Sequence, residues 1–354
     1  MKFLNVVNWP ILMSGLLLIS IGVLVIYSSS AELAFQQLLY AILGLLFFLF
    51  VIQLDLHSVR KLINPLYFLT ILLLIVVLIL GIETRGSIRW LPVGFFNIQP
   101  SEFAKPVLIL LLASFWSGNI SSWTSIFKSL LWISPLVFLI FKQPDLGSAL
   151  TLVAIWTGML FASRISKGKI LILILIALVI IPSSYFFLHD YQKQRIIGFL
   201  QPGSDPLGRG YNLIQSTIAV GSGQLSGLGL GRGTQSRLQF LPEFRTDFIF
   251  ASIAEEMGFL GSLIILSIYL FLLSYFLKIA NQAEDKFYFL LIMGCFSMLL
   301  FQIFVNIGMN IGLLPITGIT LPLISYGGSS LITTLICLGI VASVARSKRM
   351  TESV

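Results

Sequence analysis

The sequence predicts an all-α, polytopic membrane protein of about ten transmembrane helices, with a large extracytoplasmic loop between the seventh and eighth. Three observations carry this prediction. The chain is 57% hydrophobic and only 10% charged over 354 residues, whereas a soluble domain carries about 25% charged residues. Its apolar residues fall in runs of roughly twenty, the length that crosses a bilayer as helix. One long segment, 189–247, is instead polar and rich in glycine. No soluble core encloses this much apolar surface, so lipid must act as solvent for most of the chain. The whole of 1–354 reads as one integral membrane domain, with the 189–247 loop inside it.

The spans are predicted at 9–29, 34–54, 62–82, 103–118, 127–142, 147–163, 169–188, 248–277, 287–311 and 322–345. The 29 Phe and six Trp suit lipid-facing surface and interfacial belts. The first run, Trp9 to Tyr27, is long enough to span and has no small-residue cleavage site after it, which argues against a cleavable signal peptide. The fourth to sixth spans are short and bounded by proline, so broken or tilted helices are expected there.

The net charge of +8 suggests a nucleic-acid partner until the charges are placed. Lys2, Arg60, Lys61, Lys128, Arg164, Lys167, Lys169, Lys278, Lys286, Arg346, Lys348 and Arg349 all fall on one side of the predicted spans. The short loops opposite hold only Arg85, Arg89 and Lys142. The basic side is expected to be cytoplasmic, with both termini on it, and no nucleic acid is implied. The long loop carries Lys193, Arg195, Arg209, Arg232, Arg237 and Arg245, but long translocated loops escape the positive-inside rule. Its apolar residues, among them Ile196, Phe199, Leu213 and Ile218, predict a folded or membrane-dipping segment. Two cysteines and two histidines argue against a disulfide framework or a metal site built from those residues.

Ionisable residues at membrane depth are costly and are functional candidates by default. Four groups qualify. The first is Pro242 to Phe250, where Asp247 stands at the junction of the long loop and the eighth span. A carboxylate there is either a helix cap, helped by Thr246, or a general base acting on a hydroxyl of an anionic substrate. The second is Gln99 to Pro106, where Glu102 and Lys105 share a helix face and can pair. The pair orients helices or serves a substrate. Arg85 and Arg89, just before it, are ordinary loop charges or phosphate ligands. The third is Lys142–Gln143–Pro144–Asp145, a tight polar turn in which Asp145 starts a helix or takes part in function. The fourth runs from Gly312 to Gly318 and from Pro322 to Ser330, including Ser325. Gly and Pro there permit non-helical backbone inside the membrane, or a helix-packing surface of small residues.

At these residues the sequence resembles the shape, elongation, division and sporulation (SEDS) family. The matching blocks are Arg89–Trp90, Gln99 to Lys105, Gln143 to Gly147, Leu241 to Ala251, Glu255 to Gly258, and the block ending Ser325 to Ser330. They occur in order over nearly the whole chain. The resemblance implies a peptidoglycan glycosyltransferase of the bacterial plasma (inner) membrane. Its substrate would be lipid II, the undecaprenyl-diphosphate-linked disaccharide pentapeptide, and its product linkage would be inverted. The family's essential aspartate matches Asp247, and its paired Glu and Lys match Glu102 and Lys105. The resemblance extends to Arg85, Arg89, Lys142, Asp145 and Ser325, with Arg195 and Arg245 of the basic loop as further substrate-binding candidates. It implies a class B penicillin-binding protein and elongation-complex membrane proteins as partners. It leaves a requirement for Mg2+ or Mn2+ open. Family members usually have His–Thr–Asp where this chain has Arg245–Thr246–Asp247. Arg keeps the positive charge but exchanges no proton near neutral pH, and it is expected to help keep Asp247 ionised. Asn8 to Leu12 and the Gly318–Ile319 step look like the elongation branch, whereas Thr320–Leu321–Pro322 reads more like the division branch. The competing classes are a lipid II flippase and a scaffold that only recruits a synthase.

Overall fold

The computed structural model describes residues 8–84, 87–93 and 96–351. It is helical almost throughout. In order come α1 (Trp9–Ser29), α2 (Ala31–Gln53), the single turn α3 (Leu56–Val59) and α4 (Ile63–Leu80). Three short strands follow: β1 (Ile82–Thr84), β2 (Ser87–Val93) and β3 (Phe96–Ile98). Then come α5 (Pro100–Gly118), α6 (Trp123–Lys142), α7 (Leu146–Ala162) and α8 (Lys167–Ser184). The polar segment holds α9 (Asp190–Leu200), α10 (Tyr211–Ser222) and α11 (Thr234–Arg237). The chain finishes with α12 (Ile249–Asn281), α13 (Lys286–Asn310) and α14 (Gly328–Thr351).

Each of the ten predicted spans coincides with a long helix. By length and composition, seven among the described residues are fit to cross a membrane: α1, α2, the α3–α4 stretch, α6, α12, α13 and α14. The helices α5, α7 and α8 fill the other three predicted places. Here α5 carries the Glu102 and Lys105 charges, and α7 has only 17 residues. The stretch read as a simple loop before α5 is an antiparallel meander in the order β1-β2-β3. Leu91, Pro92 and Val93 pair there with Ile98, Asn97 and Phe96.

Side-chain caps set many of the helix starts, each satisfying an N–H that has no partner within the helix. Ser30 accepts from the N–H of Leu33, Ser122 from that of Ser125, Asp145 from that of Ser148 and Asp285 from that of Phe287. Lipid-facing and enclosed helices differ in how apolar residues are spent. On α4 and α8, Leu72, Ile79, Leu80, Leu178 and Val179 are more than half exposed, as expected for surface in contact with acyl chains. By contrast α14 is enclosed nearly all round, with Leu335, Cys337, Leu338 and Val341 buried against α2, α13 and neighbouring helices.

The two ends of the bundle are unlike. At one end Arg60 donates to Ser117, Lys169 to the Ser121 carbonyl, Lys286 to the Asn119 carbonyl and Arg346 to the Ile52 carbonyl. Helix α1 begins and α14 finishes at this basic end. The opposite end gathers the strands, the α6–α7 turn, the 190–248 segment and the non-helical stretch 311–327. Sequence analysis placed the tenth span from 322, but α14 starts only at Gly328. Residues before it use their backbone groups on side chains instead. Gln37 donates to the Ser325 carbonyl, Tyr269 to the Pro322 carbonyl and Asn306 to the Ile319 carbonyl. Non-helical backbone at membrane depth is stable only when satisfied in this way.

Candidate functional site

Asp247 is the last residue but one of a turn that runs from Leu241 to Phe248 and leads into α12. The cap position of α12 is Phe248, so Asp247 stands one residue outside it. Its main chain is held firmly. The Asp247 carbonyl accepts from the amides of Asn306 at 2.9 Å and Asn310 at 3.0 Å. Ser325 donates its hydroxyl to the Thr246 carbonyl at 2.6 Å, and the Tyr326 N–H donates to the Arg245 carbonyl at 2.9 Å. Asn310 also accepts, through Oδ1, from the Ala251 N–H. Two asparagines one helical turn apart on α13 thus fix where α12 begins. Asp247 itself is half-buried.

Gly318 forms the floor beside the carboxylate. Its φ is +76°, a left-handed conformation that favours glycine. A Cβ built there would stand 3.6 Å from Asp247 Oδ2 and 3.9 Å from Arg195 Nη1. The acid and the guanidinium therefore face one small gap. Arg195 is carried by α9, and Nη1 also donates to the Ile316 carbonyl at 3.3 Å. A cleft of about 90 Å³ continues from Arg195 between α9 and α10, lined by Phe199, Arg209, Asn212, Leu213 and Ile316.

The long polar segment is folded rather than loose, as its apolar residues predict. Ser216 on α10 donates to the Asn310 carbonyl. Glu255 is fully buried, and it accepts from the N–H groups of Gln235 and Ser236 and the hydroxyls of Thr234 and Ser236. Glu256 accepts from Ser28 at the end of α1. Two adjacent acids in an apolar helix therefore tie the segment to the bundle. The rule for ionisable residues at membrane depth also selects them, although sequence analysis used them only as part of a matching block.

Arg245 has partners other than the expected ones. Its Nε donates to Ser29 Oγ at 2.8 Å and its Nη2 to the Ser29 carbonyl at 3.3 Å, at the C-terminus of α1. It also lies over the Phe244 ring. Burial lowers its pKa and Glu243 pushes it back up. The cation suits the negative end of the α1 dipole.

Of the remaining candidates, Glu102, Lys105, Asp145 and Arg89 lie enclosed or half-enclosed around the starts of α5 and α7. Glu102 and Lys105 are buried and paired at 2.6 Å. Asp145 caps α7: Oδ1 accepts from the Ser148 N–H, and Oδ2 from Ser148 Oγ, Gln99 Nε2 and Ser101 Oγ. Arg89 lies 3.8 Å from Asp145 and donates to the Pro144 carbonyl, which Tyr191 of α9 also reaches. Lys142 is exposed, above the Phe138 ring. Arg85 lies outside the described residues. The 316–319 stretch separates this cluster from Asp247: a Cβ on Gly147 of α7 would come within 2.9 Å of the Thr317 carbonyl.

Asn306, Asn310 and Asn212 were not among the candidates read from the sequence, Arg209 was read only as loop charge, and Gly318 only as part of the Gly312 to Gly318 group. Asn306 and Asn310 were within reach of the membrane-depth rule, had it been extended from charges to amides. Glycine at 318 signals a permissive backbone, but its place beside Asp247 has no signal in the sequence.

Fold and site together define a multi-pass membrane protein whose bundle is closed at one end by a folded polar segment. The chain belongs to the FtsW/RodA/SpoVE family of cell cycle proteins, whose model matches residues 8–350. It is 43% identical over 288 residues to the peptidoglycan glycosyltransferase MrdB of Escherichia coli K12, covering 80% of this chain and 78% of the relative. It is 39% identical over 354 residues to stage V sporulation protein E of Bacillus subtilis, covering 94% and 95%. Among solved structures it matches a chain from a peptidoglycan synthase complex, studied for its coordination of polymerization and crosslinking. The TM-score is 0.84 at 34% identity, over 97% of this chain and 98% of the other. It also matches the rod shape determining protein RodA of Thermus thermophilus, with TM-score 0.73 at 29% identity over 96% and 97%. The family read from the motifs is therefore the right one.

Proposed function

We propose that this chain is a peptidoglycan glycosyltransferase that polymerises lipid II into glycan strands during cell elongation, with inversion at the anomeric carbon and Asp247 as general base. The observation that carries the proposal is the gap over Gly318, faced by the Asp247 carboxylate on one side and the Arg195 guanidinium on the other. The relatives named as peptidoglycan glycosyltransferases support the reaction class.

The chemistry needs little else. The acceptor is a sugar hydroxyl, a very weak acid, so a base is required. The donor's anomeric diphosphate leaves readily once its charge is met, and guanidinium groups meet it well. Both substrates are lipid-anchored, which confines them to one plane and supplies proximity. Glu102, Lys105, Asp145 and Arg89 hold the frame on which the site stands, and Ser325 and Arg245 hold the turn that presents Asp247. Among the described residues no group of three or more His, Cys, Asp or Glu side chains converges on a metal site. The basic end is assigned to the cytoplasm, which puts both termini there and the site at the external face. A class B penicillin-binding protein, crosslinking the new strand, is the proposed partner, and the complex that contains the matching chain supports this.

Asp247→Asn, purified and assayed for lipid II polymerisation, is expected to lose about 10²–10⁴-fold in turnover. Retained turnover in a folded variant would overturn the base assignment. A flippase would instead move labelled lipid II across liposomes without making polymer.

A further inference from the structure

We infer that the acid-free basic patch on the joined α5–α6 and α7–α8 loops is a docking site for an anionic phospholipid headgroup. The patch lies at the basic end of the bundle, away from Asp247, and does not depend on the polymerisation reading.

The two loops are built into one surface. Ser121 of the α5–α6 loop donates to the Ser163 carbonyl at 2.9 Å, and the two hydroxyls stand 3.2 Å apart. Lys169 of α8 donates to the Ser121 carbonyl and so closes one loop on the other. Along 117–130 and 162–170 the charged residues are Lys128, Arg164, Lys167 and Lys169, with no Asp or Glu among them. Lys169 is half-buried in its contact, whereas Lys128, Arg164 and Lys167 are exposed. Lys167 and Lys169 also fall in the first turn of α8, where positive charge opposes the helix dipole and no acid offsets it. The patch offers these cations no carboxylate of its own, and an anion among them relieves their repulsion.

The rule that collects basic residues at one membrane face accounts for the charges but not for the apolar side chains beside them. Ile120, set among Asn119, Ser121 and Ser122, is 87% exposed. Trp123 and Phe127 follow on α6 at 45% and 62%. An isoleucine that projects this far is at home in the boundary between headgroups and acyl chains, and Trp is enriched at the same depth. A soluble acidic partner offers no apolar layer to Ile120, whereas an anionic phospholipid offers that layer and the charge together.

Other basic groups at this end are engaged within the protein. Arg60 donates to Ser117 and lies over the Phe287 ring, Lys286 donates to the Asn119 carbonyl, and Arg346 to the Ile52 carbonyl. Asp55 and Asp285 belong to those neighbouring loops, and Asp285 pairs with His57 at 3.1 Å. The dock has a consequence for α8, of which no described residue is buried. Only its early residues Ile170 and Leu173 pack against the core. A headgroup held by Arg164 and Lys167 fastens the start of this sparsely packed helix.

The test uses the full chain in nanodiscs of phosphatidylcholine and phosphatidylglycerol in equal parts, with retained lipid counted by native mass spectrometry. The parent is expected to retain phosphatidylglycerol over phosphatidylcholine about tenfold. Arg164→Gln/Lys167→Gln should reduce this preference to about twofold. Lys61→Gln/Lys278→Gln removes equal charge from exposed positions at the same end and should keep at least half of it. Equal losses in the two variants, or no preference in the parent, overturn the dock. If Arg164→Gln/Lys167→Gln does not fold, Lys167→Gln alone should lower the preference about threefold, and an unchanged preference there overturns the dock as well. A poly-glutamate peptide supplies the protein arm. Peptide binding that disappears in the patch variant, beside an unaltered lipid preference, makes the patch a protein surface and overturns the lipid assignment.

Discussion

Asp145 and Asp247 occupy similar places in the sequence, each an acid where a polar turn becomes an apolar helix. The structure uses them in opposite ways. Asp145 is buried and its carboxylate is taken up by Ser148, Gln99, Ser101 and Arg89. At Asp247 the main chain is held by Asn306 and Asn310, and the side chain is only half-buried, beside Gly318. One acid holds helices together, and the other is held so that its side chain can act. Depth in the membrane selects both, and burial tells them apart. The comparison is broken most directly by neutralising each. Asp247→Asn should lose about 10²–10⁴-fold in polymerisation with little change in melting temperature. Asp145→Asn should lose melting temperature and keep most of its turnover. The reverse outcome would exchange the roles.

The next largest effect concerns Glu102 and Lys105, which belong with Asp145 on the closed side. Removing one partner of a buried pair strands the other charge, at a cost of about 3–5 kcal/mol. Lys105→Met should therefore destabilise the detergent-purified protein strongly, and Glu102→Gln/Lys105→Met should recover much of the loss. Activity of the double variant per folded molecule is the deciding measurement. If it remains near zero while stability returns, the pair also serves substrate.

How much of this was legible beforehand depends on the physics behind each feature. The spans were legible because an apolar run of membrane length has few other uses. The start of α14 was not, because Pro322 to Tyr326 are apolar enough to read as span, and their non-helical path depends on Gln37, Asn306 and Tyr269 far away in sequence. Asp247 was legible as a site residue from its block, but its setting beside Gly318 was not, since the two lie far apart in sequence and only the fold brings them together. The partners of Arg245 were equally hidden. Asp247 follows it two residues later, while its hydrogen-bond partner, Ser29, lies 216 residues away.

A smaller effect tests the clamp rather than the acid. Asn310→Ala removes the amide that reaches the Asp247 carbonyl and the acceptor for the Ala251 N–H. Leaving these groups unsatisfied costs about 1–3 kcal/mol of stability. If the clamp positions Asp247, kcat should fall while KM for lipid II barely moves. If it only holds α13 to α12, the loss should follow the fraction folded.

The smallest expected effect lies at the basic end, where Asp55 caps α3. It accepts from the hydroxyl and N–H of Ser58 and the N–H of His57. The Ser58 hydroxyl, then the His57 N–H, hold this carboxyl below its ordinary 3.8, with a lesser push from the His57 charge. A depressed acid contributes its stabilisation above its unfolded pKa and loses it as pH falls through the folded value. Protection of the His57 and Ser58 amides from hydrogen exchange should therefore be flat above about pH 4 and decline below it. In Asp55→Ala that decline should vanish and protection should be low at every pH. Because Asp55 is fully exposed, the change should stay within this one turn and leave polymerisation at the far end untouched. A loss of turnover in Asp55→Ala would mean that the two ends of the bundle are coupled, and the division into a frame and a presented acid would need redrawing.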